Sequence, residues 1–436
     1  MIWVIASKII ACVRSIKYCL SPKPPCIEYE MIKQDPLKMA SEYLEDIQQY
    51  SLSNVPYYKL NYTNLVKFPP LTKDVIRASF TELTSKRIAD LNYKENTSGG
   101  STGIPVKFLQ DSEYDQFVGY ALKYWYNEIL GYDLGELRKL MIWGSEKDLL
   151  QWNGDWKKRL SGIFTQTRYV NAFSLSERDL KRCVKLINSY RPEMIRGYAN
   201  TLVEVANYIE KNHTKIYKPL FIVSSAETLT DEMRSKIKSV FGCPIYDLYG
   251  SRECGALAGE CREGNLHIFS FNHHVEVVNS QGVEVNPGEM GTVLVTTLHN
   301  HAMPLLRFEI GDFAVKGPAQ CKCGNPLPTL QRISGRISNS FIKADGTIIH
   351  GEFFTHLFYN RNWLRQFQVV QEKYDEIKIY ISLNPGSALP DQDRQEINTH
   401  IRKVMGSECR IEYFFVEVIP KSPQGKFLFT YSKVPR

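Results

Sequence analysis

The sequence predicts an α/β fold, with a large N-terminal domain over residues 1–335 and a small α+β domain over residues 336–436. Two observations lead to this prediction. Helix-like and strand-like segments alternate between residues 112 and 223, which is typical of a largely parallel sheet covered by helices. Between about residues 265 and 316, short strand-like runs alternate with turn signals, which indicates an antiparallel, β-barrel-like subdomain. A chain of 436 residues is long enough for both domains.

The elements are expected in a definite order. Leu37, Ala40, Leu44 and Ile47 recur at helical spacing, so residues 27–90 are predicted to be mostly helical. The α/β part should then contain, in order, the helix 112–130, the strand 138–143, the helix 177–189, the strand 194–196, the helix 201–212 and the strand 218–223. Short strands are predicted at 275–278, 283–285 and 292–297.

Composition and charge exclude several classes of protein. The hydrophobic fraction of 43% and the charged fraction of 23% are ordinary for a globular protein. The net charge of +7 is spread along the chain without a dense basic block, so no nucleic-acid partner is expected. The ten cysteines follow no regular spacing, which argues against a disulfide framework.

The N-terminal segment is apolar but interrupted by charge. Lys8, Arg14 and Lys17 break the apolar run, so we expect neither a signal peptide nor a transmembrane segment, and a cytoplasmic chain. Trp3 and Ile9 would lie on the apolar side of an amphipathic helix. That helix packs on the protein itself or, as the weaker alternative, docks on a membrane surface.

A Gly- and Ser-rich stretch, NTSGGSTGIP, occupies residues 96–105. Glycine permits positive φ and brings backbone N–H groups close to an anion, and the hydroxyl groups add further donors. The stretch is therefore predicted to bind phosphate, with a surface hairpin as the alternative. The spacing of a Walker loop is absent. The candidate phosphate-binding residues are Thr97, Ser98, Gly99, Gly100, Ser101, Thr102 and Gly103.

Six motifs in order make the chain resemble the adenylate-forming superfamily in its phenylacetate–CoA ligase branch, nearest to the CapK-like proteins of capsular-polysaccharide biosynthesis. The Gly-rich stretch resembles that superfamily's phosphate loop. The other five motifs are SSAE at 224–227, YDLYGSRE at 246–253, PLLRFEIGD at 304–312, GR at 335–336 and PKSPQGK at 420–426. The resemblance implies an adenylate-forming ligase fold with a mobile C-terminal domain.

The resemblance also implies roles for individual residues. Glu253 would hold Mg²⁺, Tyr249 would lie against adenine and Asp312 would accept hydrogen bonds from the ribose hydroxyls. Lys426 would pair the acid's carboxylate with the α-phosphate, and Arg336 would act at the pivot between the domains. The remaining nucleotide-binding candidates are Ser225, Ala226, Glu227, Gly250, Ser251 and Arg307. By position, residues 197–200 with Ser224 and Ser225 are expected to line the acyl pocket.

Cysteine and histidine residues suggest a second, metal-binding constellation. Cys321 and Cys323 form a tight C-x-C pair, and Cys261 and His267 lie in an upstream loop. Thiolates and imidazole are the ligands of structural Zn²⁺, and four of them complete a tetrahedron. The expected set is Cys261, His267, Cys321 and Cys323, with Cys254 as a substitute; buried, metal-free cysteine is the alternative.

The leading hypothesis is an ATP-dependent ligase that activates a carboxylic acid as acyl-AMP and transfers it to CoA, an amine or a sugar acceptor. A second hypothesis is transfer of AMP to give a stable adduct. A third is a non-catalytic nucleotide-binding protein, favoured by Ile310 in place of the usual Thr and by Ser338-Asn339 in place of the hinge acid. The presence of Glu253, Asp312 and Lys426 argues against the third hypothesis.

Overall fold

The computed structural model describes residues 25–61, 68–97, 106–144, 166–172, 174–279, 281–334, 341–345, 347–349, 351–358, 361–419 and 429–434. Its helices are α1 Pro25–Gln34, α2 Pro36–Asn54, α3 Pro56–Asn61, α4 Lys73–Ala78, α5 Phe80–Leu83, α6 Ser112–Tyr124, α7 Glu177–Tyr190, α8 Ala199–Lys211, α9 Asp231–Phe241, α10 Gly351–His356 and α11 Asp391–Met405. The predicted N-terminal amphipathic helix lies outside the described residues.

Twenty strands are described, and most of them belong to one large sheet. They are β1 Tyr93–Thr97, β2 Lys107–Asp111, β3 Lys139–Ile142, β4 Thr167–Val170, β5 Ser174–Leu175, β6 Met194–Gly197, β7 Phe221–Ser225, β8 Ile245–Ser251, β9 Gly255–Glu260, β10 Leu266–Ile268, β11 His273–Val278, β12 Met290–Thr297, β13 Phe308–Lys316, β14 Thr329–Ser334, β15 Phe341–Ile342, β16 Ile348–Ile349, β17 Leu364–Lys373, β18 Glu376–Leu383, β19 Arg410–Phe415 and β20 Thr430–Ser432.

Local side-chain chemistry explains where several helices begin. Asp35 accepts a hydrogen bond from Lys38 N at 3.0 Å, with Pro36 in the first turn of α2. Asp111 ends β2 and also caps α6, because its carboxylate accepts from Tyr114 N at 2.9 Å. Strand and helix therefore follow each other without a loop, which holds the β1–β2 hairpin against the body of the protein.

The main sheet has eleven strands in the order β11-β12-β13-β14-β10-β9-β8-β7-β6-β3-β4. Strands β4, β3, β6, β7 and β8 are parallel, and from β8 onward each neighbouring pair is antiparallel. The predicted α/β part and the predicted antiparallel part are thus both present, and they are hydrogen-bonded into one sheet. The strand predicted at 283–285 is only an isolated bridge between Val278 and Glu284.

The antiparallel half of this sheet is strongly curled. Three strands separate β8 from β13, which in a flat sheet corresponds to about 19 Å. Nevertheless, the Tyr249 hydroxyl on β8 lies 3.0 Å from an Asp312 carboxylate oxygen on β13. Only a curved sheet brings these two side chains together, which agrees with the barrel-like subdomain expected from the sequence.

The C-terminal part forms its own four-stranded sheet, in the order β19-β18-β17-β20, with α11 packed against it. A separate hydrophobic cluster running from Phe341 to Cys409 fills this region. The short strand β16 pairs with β5, so residues 348–349 are hydrogen-bonded to the N-terminal part. The predicted boundary at 335/336 lies outside the described residues and stays a prediction.

Among the residues that the structure describes, no helix combines the length and the apolar character needed to cross a bilayer.

Candidate active site

A cavity of about 920 Å³ opens at the carboxyl ends of the parallel strands β6, β7 and β8. This is the edge at which ligands bind in open α/β sheets. Six of the predicted nucleotide-site residues line it together with Glu253: Ser225, Ala226, Glu227, Tyr249, Gly250, Ser251. Asp312 reaches the same cavity from β13, although it lies about 60 residues further along the chain.

Tyr249 and Asp312 form a nearly buried polar pair. The Tyr249 hydroxyl donates to Asp312 Oδ2 at 3.0 Å, and each residue is only 9% exposed. A carboxylate in this position keeps further oxygen lone pairs that can accept hydrogen bonds from a ligand. The arrangement can bind vicinal hydroxyl groups while the phenol ring offers a flat apolar surface.

Glu253 is paired with a lysine that the sequence did not single out for chemistry. Lys73 Nζ lies 3.1 Å from Glu253 Oε1, and both side chains are only 6% exposed. A buried carboxylate requires such a partner, because desolvation of an uncompensated charge is costly. Glu253 sits in the turn between β8 and β9, so its carboxylate faces the cavity from a rigid hairpin. An oxygen ligand there suits a hard cation such as Mg²⁺.

The SSAE segment spans the end of β7, and its glutamate has a structural role. Ala226 adopts a positive φ of 68°, which turns the chain at the strand end. Glu227 Oε2 accepts from Asn200 N at 2.8 Å and Oε1 accepts from Asn200 Nδ2 at 3.0 Å. A carboxylate at the N-terminus of α8 is favoured by the helix dipole. Glu227 therefore ties α8 to the cavity wall.

Two further acids in the cavity were missed at the sequence level. Asp247 and Glu260 lie near Arg234, whose Nη2 is 2.9 Å from Glu260 Oε2. Burial, with the Glu260 charge as a second cause, raises the pKa of Asp247 to about 7, although Arg234 opposes the shift. Little in the sequence indicated that these two acids belong to the site. Asp247 is only the second residue of the YDLYGSRE motif, and Glu260 belongs to no motif.

The predicted cysteine and histidine ligands come together in space. Cys261 Sγ and Cys321 Sγ are 3.7 Å apart, Cys323 Sγ and His267 Nε2 are 3.1 Å apart, and the four ligand atoms lie within 4.8 Å of one another. Tetrahedral zinc with Zn–S bonds of about 2.3 Å places two sulfurs about 3.8 Å apart. His267 Nδ1 lies 3.1 Å from Leu327 O, which leaves Nε2 to face the cluster.

Cys254, the expected substitute ligand, does not belong to this cluster. It precedes β9, whereas Cys261 follows β9, so the two cysteines are separated by about 20 Å along an extended strand. The thiol of Cys254 is fully buried in the hydrophobic core instead.

Arg307 makes contacts that hold the backbone. Its Nε donates to Glu276 at 2.9 Å and its Nη1 donates to Phe68 O at 2.8 Å, and it does not line the cavity. This geometry does not favour the expected phosphate or ribose contact. Thr97 is buried at the end of β1. The remaining loop candidates, Ser98, Gly99, Gly100, Ser101, Thr102 and Gly103, lie outside the described residues, as do Arg336 and Lys426.

Comparison with known proteins adds relatives that span most of the chain. The CapK protein of Staphylococcus aureus is 26% identical over 440 residues, which cover 93% of this chain and 92% of that protein. The phenylacetate–coenzyme A ligase of Escherichia coli is 25% identical over 345 residues, 71% of this chain and 75% of the ligase. The family described as the CapK C-terminal domain matches residues 341–433. The chain is therefore similar to CapK over nearly its whole length and to the phenylacetate–coenzyme A ligases over most of it.

Solved structures of CoA ligases share the fold of this chain. A crystal structure of 2-hydroxyisobutyryl-CoA ligase in complex with 2-HIB-AMP and CoA matches with a TM-score of 0.58 at 16% identity, covering 92% of this chain and 90% of that one. The same ligase in a postadenylation state matches with a TM-score of 0.55 at 16% identity, covering 90% and 89%. The adenylate-forming ligase fold expected from the sequence is therefore confirmed.

Proposed function

We propose that this chain activates a carboxylic acid with ATP. A carboxylate oxygen attacks the α-phosphorus, the bond to the leaving pyrophosphate breaks, and acyl-AMP forms. The observation that supports this proposal is the convergence of Tyr249, Glu253 and Asp312 on one cavity, since the three residues come from two distant motifs. The relationship to acid–coenzyme A ligases supports the same class of reaction.

In this proposal Asp312 accepts from the ribose hydroxyls, and Tyr249 orients Asp312 and contacts adenine. Glu253 would hold Mg²⁺, whose charge offsets the negative charge that develops on the phosphoryl oxygens. The buried Lys73 fixes the Glu253 carboxylate in place. Roles for residues 98–103, Arg336 and Lys426 are carried over from the matching motifs, with Lys426 bridging the acid and the α-phosphate.

We further propose CoA as the acyl acceptor, with an amine or a sugar hydroxyl as the alternative. The related ligases are named for coenzyme A, and the solved ligase of the same fold is described in complex with CoA. We also propose a place in cell-surface polysaccharide biosynthesis, for which the similarity to CapK is the support, and a cytoplasmic location. Identification of the acylated product would decide among CoA, an amine and a sugar hydroxyl as the acceptor.

Transfer of AMP to a stable adduct is the second candidate function. The third hypothesis, a non-catalytic protein, was favoured by Ile310 in place of the usual Thr, and the structure weakens that argument. Ile310 is fully buried in the hydrophobic core and does not line the cavity. Its difference from the usual Thr therefore changes core packing, and it removes no hydroxyl from the wall of this cavity.

We also propose that Cys261, His267, Cys321 and Cys323 hold structural Zn²⁺. The ligand types and their mutual spacing both fit a closed tetrahedral site. Such a site would join the end of β9 and the strand β10 to the segment that precedes β14, and it would leave the active-site chemistry to other residues.

The decisive experiment is pyrophosphate release from ATP and Mg²⁺ with a panel of aryl, fatty, amino and sugar acids, with and without CoA. Asp312→Asn and Lys426→Ala should each lower acid-dependent release by about a hundredfold or more. The first variant removes the charged acceptor proposed for the ribose hydroxyls, and the second removes the charge proposed to bridge the acid and the α-phosphate. Lys433→Ala is the matched control, since Lys433 is ion-paired with Glu372 at the surface. ATP binding without release for any acid would contradict the proposal.

A further inference from the structure

Arg196 is a cation of the cavity wall that has no carboxylate partner among the described residues. It lies at the carboxyl end of β6, its Nη2 donates to Ser225 Oγ at 3.3 Å, and its Nε is shielded from solvent without a hydrogen-bond partner. The other arginines described in this cavity differ from it: Arg234 pairs with Glu260, Arg252 contacts His356 and Arg332 is exposed.

An aromatic wall holds Arg196 in place. Trp143 and Tyr198 stack with ring centroids 4.3 Å apart and an interplanar angle of 21°, and the Arg196 guanidinium carbon lies 5.3 Å from the Trp143 ring centroid. The Tyr198 hydroxyl donates to Gly144 O at 3.1 Å. The rings attract the cation but leave its charge unneutralised. Apolar side chains of the same cavity, Val118 and Leu122 among them, suit a flat hydrocarbon body.

The position of Arg196 separates it from the reacting groups. Strand β6 lies two strand positions from β8 in the sheet, about 10 Å, and β8 leads into the turn that carries Glu253. An acid whose reacting carboxylate lies toward the β8 side of the cavity, where the nucleotide is proposed to bind, would therefore present its far end to Arg196. A guanidinium fork in a partly desolvated site binds an anionic oxygen pair much better than a neutral group.

We infer that the acid activated here carries a second anionic group at the far end of an apolar, flat body, and that Arg196 recognises this group. The inference rests on the proposed function, because it takes this cavity as the site of the acid. A second carboxylate, a sulfonate or a phosphate would provide the same oxygen chemistry.

The test compares matched acids that differ only in the second group: benzoate, 3-carbamoylbenzoate, isophthalate and 3-sulfobenzoate. For the unmodified chain, kcat/KM for pyrophosphate release should be about tenfold or more higher with the two dianions than with the two monoanions. In Arg196→Gln this preference should disappear, with the monoanions changed less than about threefold and the KM for ATP unchanged. Arg196→Lys should restore part of the preference.

Arg168→Gln is the matched control, because Arg168 also lies over an aromatic ring, Tyr190, but is exposed and outside the cavity. It should keep the full preference for dianions. Equal loss for monoanions and dianions in Arg196→Gln, a raised KM for ATP, or a preference of the unmodified chain for monoanions would overturn the inference.

A binding experiment tests this inference independently of the proposed function. Isophthalate should raise the thermal unfolding midpoint of the unmodified chain more than benzoate does, and Arg196→Gln should abolish that difference. If no acid supports pyrophosphate release, the proposed function fails, and this experiment alone decides whether an anion subsite exists. Equal midpoints with both acids would overturn the subsite. The midpoint of ligand-free Arg196→Gln checks that the variant is folded.

Discussion

At the scale of single residues, the cavity contains a carboxyl group that resists ionisation. Asp247 lies beside Glu260, and burial together with that neighbouring charge raises its pKa to about 7. In an unfolded chain the pKa of Asp is about 3.9. Between these two values the folded protein binds more protons than the unfolded one, so the free energy of unfolding falls as the pH rises through this window.

Asp247→Asn removes this titration. We expect the variant to gain stability relative to the unmodified chain as the pH is raised from 5 to 8, because the amide has no ionised form to desolvate. Urea unfolding at several pH values measures the difference. Asp115→Asn is the control, since Asp115 is exposed and paired with Lys94. Parallel pH profiles for Asp247→Asn and the unmodified chain would contradict the raised pKa.

Residue-level chemistry was only partly predictable. The motifs indicated Tyr249, Glu253 and Asp312, and the structure brings all three to one cavity. The partners of these residues were not predictable, because Lys73 reaches Glu253 from about 180 residues earlier in the chain. Arg196 belongs to no motif either. Only its position at the end of a parallel strand indicates that it could be a site residue.

At the scale of elements, the β8–β9 hairpin depends on close backbone contact. A Cβ at Gly250 would lie 2.3 Å from the carbonyl oxygen of Gly255, which no rotamer change can relieve. The turn between these strands carries Glu253. Any displacement of the hairpin therefore moves the carboxylate proposed to hold Mg²⁺.

Gly250→Ala should lower the free energy of unfolding by about 1–3 kcal/mol and impair pyrophosphate release, since the backbone must shift to make room. Gly119→Ala is the matched control on the exposed face of α6, where a Cβ meets nothing within 4 Å. It should raise the free energy of unfolding by about 0.5–1 kcal/mol through helix propensity. Urea titration measures both, and an undisturbed Gly250→Ala would show that the hairpin tolerates the methyl group.

The zinc proposal also belongs to the element scale. The purified chain should contain about one zinc per molecule, and Cys321→Ser should lose it, because three ligands hold the metal much less tightly than four. A chelator should lower the unfolding midpoint of the unmodified chain. Elemental analysis and thermal unfolding make these measurements, with Cys409→Ser as a control outside the cluster. A chain that holds no zinc when supplied with it would refute the site.

The four residues expected from the sequence are the four that the structure brings together, and only the substitute, Cys254, lies elsewhere. The spacing of the four residues allowed a tetrahedral set, but it did not show that Cys254 and Cys261 lie at opposite ends of β9. Strand length was the missing information, and strand ends are poorly defined by a run such as residues 254–261, which is rich in Gly and Ala.

At the scale of the whole molecule, the C-terminal part is joined to the rest by the short pairing of β16 with β5, in which Ile348 opposes Leu175. A further contact joins Arg252 Nη2 to His356 Nε2 at 2.8 Å. If the C-terminal part rotates between the two half-reactions, as the resemblance implies, this pairing must open and close in each catalytic cycle.

Cross-linking this pairing should therefore affect the two half-reactions unequally. In Leu175→Cys with Ile348→Cys, oxidation should impair either acyl-AMP formation or the CoA-dependent step, and a reductant should restore it. Acid-dependent pyrophosphate release and thioester formation are measured separately. Each single Cys variant under the same oxidant controls for the native thiols. Full retention of both half-reactions in the oxidised double variant would show that no such movement is needed.

The overall fold was largely predictable, because the alternation of helices and strands specifies the parallel half of the sheet. The curvature of the antiparallel half could not be predicted from local sequence patterns. It arises from strand pairs that are distant in sequence, such as β10 with β14, whose pairing joins Leu266 to Leu330. Such register depends on tertiary packing and leaves little trace in a window of ten residues.

The cysteine and histidine cluster also has a consequence for the order of folding. Its ligands flank β11, β12 and β13, a meander of strands that pair with their neighbours in sequence and can form early. Closing the chain from Cys261 to Cys321 carries an entropic cost that grows with loop length, and the β10–β14 pairing offsets only part of it. A metal ion bound by ligands on both sides of this meander would offset the remaining entropic cost. Metal supply during synthesis would then determine how many chains complete the curled half of the sheet.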